Sequence, residues 1–189
     1  MENTLLSALN SRKNNAINKE KKTGYETLDK AADQLLKKTE LLKATGKDSI
    51  FEKAKESGEK KEIYTNTEEM VEKYNETMQA LKKSSDFLSE YYKKMMNQVA
   101  FEQKEELSKI GITVEKDGLL KLDTKKMEEA DLDSIEKVLG SSGTFSSRVS
   151  FLAEKISDHA EANVKAASSQ YNSSGDIATD FISRYNFYG

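Results

Sequence analysis

Few residues of this 189-residue chain could do chemistry. It has one histidine, His159, and no cysteine. His159 falls on a stripe with Phe145, Val149, Leu152 and Ile156, stepping four, three, four, three. It reads as a structural histidine of a helix seam, since a metal site or a general base usually belongs to a cluster of polar partners. The acid pairs Glu68/Glu69 and Glu128/Glu129 are adjacent in sequence, so they diverge around a helix rather than converge on a substrate. The stretch DLDSIE, Asp131 to Glu136, alternates acids as a calcium loop does, but lacks the length and central glycine of an EF-hand. It reads as a helix cap. No glycine-rich phosphate loop is present, and the lack of cysteine removes thiol catalysis, disulfides and cysteine–zinc sites. The inventory points away from an enzyme and implies no cofactor and no metal.

Two other residue classes bear on binding. Met70, Met78, Met95, Met96 and Met127 lie on or near apolar stripes and read as core filling. The aromatic tail beyond Ser173 carries Ile177, Phe181, Tyr185, Phe187 and Tyr188. Such a segment either docks on its own bundle or waits for another protein, and both readings stay open. The lysine run Lys19 to Lys22 is broken by Glu20, and no segment carries the basic excess of a nucleic-acid footprint. The formal charge is −3.

These residues need long helices to hold them. Only 36% of residues are hydrophobic and 33% are charged, with no proline. That balance suits helices packed along narrow apolar stripes. No apolar run approaches the ~20 residues of a membrane span. The N-terminus has no basic segment leading into an apolar core, so it is not an ordinary secretory signal.

Along the chain, Leu5, Leu6 and Leu9 suggest a short apolar turn, and SRKNNAINKEKKTG reads as a loop or frayed helix. A helical stripe follows at Tyr25, Leu28, Ala32, Leu35 and Leu42, ended by Gly46. Asp48 is placed to cap a short helix with Ile50, Phe51 and Ala54, ending at Gly58. The strongest periodicity is Thr67, Val71, Tyr74, Met78, Leu81, Ser85, Leu88, Tyr92, Met95, Val99, alternating four and three without a slip. It predicts one long helix with coiled-coil spacing.

Gly111 stops that helix after Ile110. Ile112 and Val114 alternate with Thr113, Asp117-Gly118 signals a type I′ turn, and Leu120 and Leu122 return, predicting a β-hairpin over about 112–122 with one apolar face. Asp123 caps a first short helix, and Asp133, with Glu136 as a capping box, a second that ends at Gly140. A last long helix then returns antiparallel to the long helix of Thr67 to Val99. The predicted fold is mainly α: a long-helix bundle with a hairpin and two short helices at the turn-around. The predicted organisation is short helices and loops over 1–62, a helical leg with its hairpin head over 63–172, and the aromatic tail over 173–189.

The stretches MVEKYNETMQALKK, LSKIGITVEKDGLLKLDTKKMEEADLDSIEKVLG and GTFSSRVSFLAEKI together resemble the C-terminal region of the flagellar filament-capping protein family, also called flagellar hook-associated protein 2. The likeness covers roughly residues 68–156. In that family a helix carries a Tyr-Asn pair, here Tyr74 and Asn75. A hairpin block follows, here Leu107, Ile110, Gly111, Ile112, Thr113, Gly118, Leu120, Leu122, Asp123, Lys126 and Met127. The hairpin block is the specific part. Members of the usual kind also carry β-rich plate domains, for which this chain has no sequence, so it looks like the helical leg alone, a short or reduced relative. The resemblance implies a structural protein of the bacterial flagellum and cell motility, acting by helix packing with itself or with axial proteins such as flagellin or hook-associated proteins. It also implies flagellar-type export without a cleavable signal. The missing plate domains leave a second reading open: a cytoplasmic helical binding module or export chaperone without a flagellar role.

Overall fold

With no proline to interrupt it, the chain builds long helices. The computed structural model describes residues 2–169. Its elements are α1 (Glu2–Lys43), α2 (Ile50–Ser57), α3 (Lys61–Lys83), α4 (Phe87–Glu102), α5 (Lys104–Lys109), β1 (Ile112–Val114), β2 (Leu120–Leu122), α6 (Thr124–Glu129), α7 (Leu132–Leu139) and α8 (Thr144–Ser169). The aromatic tail residues Phe181, Tyr185, Phe187 and Tyr188 lie outside the described residues.

Helices α1, α3, α4 and α8 are the staves of an up-down-up-down bundle. Side-chain pairs fix their directions. Glu40 and Asp29 of α1 meet Ser150 and Ser157 of α8, so those two helices run antiparallel. Lys38 pairs with Glu69 near the start of α3, whereas Thr27 shares a groove with Lys83 at its end. Glu102 of α4 pairs with Arg148, while Asp86, just before α4, meets His159. Tyr74 of α3 donates its hydroxyl to the Met96 carbonyl of α4 at 3.2 Å. Leu28, Leu35 and Leu42, Tyr74, Met96 and Phe145 fill the interior from all four staves and are fully buried.

The largest departure from the sequence expectation lies here. The stripe from Thr67 to Val99 is not one coiled-coil helix. It is a helical hairpin that reverses at Ser84–Asp86. Ser84 takes φ −80, ψ 128, and Asp86 takes φ −87, ψ 158, both extended. The Asp86 carboxylate then accepts the Ser89 amide at 2.9 Å and starts a new helix. Serine and aspartate compete with the helical ladder for backbone groups, and three in a row stop it. The seam also changes phase. Thr67, Val71, Tyr74, Met78 and Leu81 are buried on α3, but α4 buries Ser89, Met96, Val99 and Ala100 and leaves Leu88 43% exposed.

Other expectations are corrected in detail. The stretch from Ser11 to Gly24 is neither loop nor break, because α1 runs unbroken for 42 residues and is a full stave rather than part of a region of short helices. Helix α8 packs chiefly on α1, and secondarily on α4. The caps of α2 and α7 are Ser49 and Asp131, not Asp48 and Asp133. The hairpin turn is not type I′, since no described residue other than glycine has a positive φ. Gly118 donates to the Glu115 carbonyl at 2.9 Å and itself sits at φ 82, giving a three-residue connection whose only left-handed residue is glycine.

Candidate functional site

The motif residues named by the resemblance are brought together. β1 and β2 pair antiparallel, Ile112 with Leu122 and Val114 with Leu120. Ile112 and Leu120 are buried against the helices. Asn75 clamps this hairpin to α3. Its amide Nδ2 donates to the Leu120 carbonyl at 2.8 Å, and its Oδ1 accepts the Leu120 amide, also at 2.8 Å. The neighbouring Tyr74 points inward, tilted against Phe145 with ring centroids 6.2 Å apart. Burial pushes its hydroxyl well above the usual phenol range. The Asp123 amide donates to the Gly111 carbonyl at 2.8 Å, and the Asp123 carboxylate caps α6 at Lys126. Thr113, Asp117 and Asp123 are exposed, whereas Ile110, Gly111 and Gly118 are buried. Just before α3, Lys60 donates to the Ala130 carbonyl at 2.9 Å. The hairpin block is therefore an architectural head, held along α3 by polar contacts to its backbone and by apolar contacts beneath.

At the other end of the bundle a polar cluster joins three staves. Asp86 accepts from the Tyr25 hydroxyl at 3.0 Å, from the Ser89 hydroxyl at 2.6 Å, and meets His159 Nε2 at 3.1 Å. Asn163 Nδ2 lies 3.3 Å from His159 Nδ1 and donates to the His159 carbonyl at 2.8 Å. The Tyr25 ring meets the imidazole edge-on, centroids 5.9 Å apart. Burial alone raises the Asp86 carboxyl, but the Ser89 hydroxyl and amide, Tyr25 and His159 outweigh it and hold the carboxyl below its usual range. Tyr25 is pushed up to about 12 by burial and by Asp86. Each oxygen of Asp86 is already bonded, so the cluster ties α1, the α3–α4 turn and α8 together.

Most of the large apolar side chains that the described residues leave exposed are aromatic. Phe87 is 83% exposed, Phe151 58%, Tyr91 47% and Phe101 42%. Phe87, Tyr91, Lys94, Gln98 and Phe101 step four, three, four, three along the outer face of α4. Phe151 stands on the adjoining α8, with the Lys155 ammonium 5.9 Å from its ring centre. Arg148 of α8 binds Glu102 of α4, and Gln98 donates to Glu102 at 2.7 Å. Those two partners, Arg148 first, hold the Glu102 carboxyl below its usual range. Sequence reading passed over this rim because it followed the stripe of Leu88, Tyr92 and Met95. The second stripe, offset by one residue, was the available signal. Among the described residues, no group of three or more acidic or histidine side chains could hold a metal ion, and no helix is long and apolar enough to cross a membrane.

No family model matches the chain, and neither a curated protein nor a solved structure matches it.

Proposed function

We propose that the chain is a structural, assembly-type protein, similar to the helical part of the flagellar filament cap. It works by packing its outer helical face against copies of itself or against flagellar axial proteins such as flagellin or hook-associated proteins. The observation that carries the reading is the α4–α8 rim, where Phe87, Tyr91, Phe101 and Phe151 face outward beside polar partners. Exposed aromatics rimmed by charge are the composition of protein-binding surfaces. The flagellar part of the reading is supported by the residues that carry the resemblance: Tyr74, Asn75 and the hairpin block act as one unit through the Asn75–Leu120 clamp.

Location tests it. Filaments are sheared from cells that make the protein, and filament, surface and cytosolic fractions are probed for the chain. Recovery in the filament or surface fraction is expected. Recovery in the cytosol alone overturns the axial role and moves the reading to an intracellular helical binding module or export chaperone, which a stable soluble complex with an axial subunit would identify.

A further inference from the structure

We propose that the α3–α4 turn is an exchange hinge: α3 and α4 can straighten into one helix, Lys61 to Glu102, through which two copies of the chain swap everything from α4 onward. This inference is independent of the flagellar reading.

Three observations carry it. First, the apolar repeat runs across the turn without a slip, from Thr67 through Ser85 and Leu88 to Val99. A sequence that needed only the hairpin would have no reason to keep that register through a reversal. In the hairpin Leu88 falls off the seam and is 43% exposed, whereas in the straight helix it rejoins the seam. Second, Ser84, Ser85 and Asp86 include neither glycine nor proline, and none has a positive φ. Each can therefore enter an α-helix without strain. Third, apart from the Ser84 hydroxyl, which donates back to the Ala80 carbonyl at 3.2 Å, the turn is held by one side chain. Asp86 caps α4 through Ser89 and receives Tyr25 and His159, and Ser85 donates its amide to no described group.

The chain also divides cleanly there. The contacts of α1 with α8, α3 with α4, and Asn75 with Leu120 all join residues before the turn to residues after it. Each can be remade with a second copy unchanged, which is the condition for low-cost swapping.

The chain lacks cysteine, so a pair of spin labels at Glu72→Cys and Gln98→Cys reports the hinge directly. In the hairpin these exposed positions stand level with each other, two residues beyond the Tyr74–Met96 contact, on neighbouring helices whose axes lie roughly 10 Å apart. In the straight helix twenty-six residues separate them by about 39 Å. The full chain carrying Ser84→Ala, Ser85→Ala and Asp86→Ala is expected to double its molar mass, keep its helix content and show the long distance. Refolding the unmodified chain at high concentration is expected to give a dimeric fraction with the same long distance. Ser85→Pro should abolish that fraction, because Ser84 already has the extended backbone that a residue before proline requires. A folded triple-alanine variant that stays monomeric, or dimerises with only the short distance, overturns the proposal. If that variant does not fold, refolded unmodified and Ser85→Pro chains that both show only the short distance overturn it equally.

Discussion

The chain reverses direction in two places by different physics. In the hairpin block, reversal depends on glycine. Gly111 sits at φ 85, and a Cβ there would lie 2.7 Å from the Asp123 carbonyl oxygen and 2.9 Å from the Met127 amide. Backbone geometry and space leave no alternative path. At Ser84–Asp86, reversal depends on a cap. No residue there is conformationally unusual, and a carboxylate tips the balance against a helix that the apolar repeat would otherwise continue. The first kind of turn is set by backbone geometry, while the second is set by a cap worth roughly 1 kcal/mol together with the packing of α4 and α8 on the helices before it. The comparison teaches that a periodic stripe specifies which side of a helix is buried, and leaves the direction of the chain to a few polar residues.

The contrast can be broken from its strong side first. Gly111→Ala forces a left-handed backbone on a residue with a Cβ and drives that atom into the Asp123 and Met127 backbone, so a loss of about 3 kcal/mol is expected in denaturant titration. Asn75→Ala strips both partners from the buried side of Leu120 and should cost about 2 kcal/mol. Asn75→Asp keeps the acceptor for the Leu120 amide but sets a carboxylate oxygen against the Leu120 carbonyl, so recovery is expected only at acid pH, where the protonated carboxyl can donate. A smaller effect belongs to the weak side. Asp86→Ala removes the cap and the Tyr25 and His159 contacts, and should cost about 1 kcal/mol in a monomer assay.

The same cluster gives a pH dependence with a definite sign. The Asp86 carboxyl is depressed in the folded chain, so its contribution is present above the ordinary carboxylate value and is lost as pH falls through the folded one. Tyr25 is raised to about 12, so its contribution is complete below the ordinary phenol value of 10.0 and is lost as pH rises through about 12. Thermal melts across pH should show both losses in the parent chain. Tyr25→Phe should shrink the alkaline one, leaving the part that buried Tyr74 contributes, and a melt profile unchanged by Tyr25→Phe would contradict the link. The smallest effect is expected at Phe87→Ala, within about 0.5 kcal/mol of the parent, because its ring is 83% exposed and supports no core contact.

Much of the head could be read from the sequence because its signals are local. Asp117-Gly118, Asp123 before Thr124 and Gly111 each act within a few residues, and alternation at Ile112, Val114, Leu120 and Leu122 set the buried face. The turn type is not legible in the sequence because Asp-Gly also suits a three-residue connection in which only the glycine is left-handed. The reversal at Ser84–Asp86 was hidden because Ser85 keeps the heptad step. The helix from Ser11 to Gly24 was hidden because its polar residues offer no stripe, and its neighbours supply the continuity. The outer aromatic face was overlooked for a related reason: α4 carries two stripes one residue apart, and only packing against α3 and α8 decides which is inside. The Asp86–Tyr25–His159 cluster joins Asp86 to His159, 73 positions on, and brings the Tyr25 ring from still farther back in the chain, which no local signal announces.

The central claim is that the outward aromatics of α4 and α8 are a surface for other proteins. The direct measurement compares the parent chain with the combined variant Phe87→Ala, Tyr91→Ala, Phe101→Ala and Phe151→Ala, by sedimentation alone and with sheared flagellar filaments. The account expects the parent to self-associate or bind filament ends, and the variant to lose that association while keeping its helix content and unfolding midpoint. Undiminished association by the folded variant would contradict it.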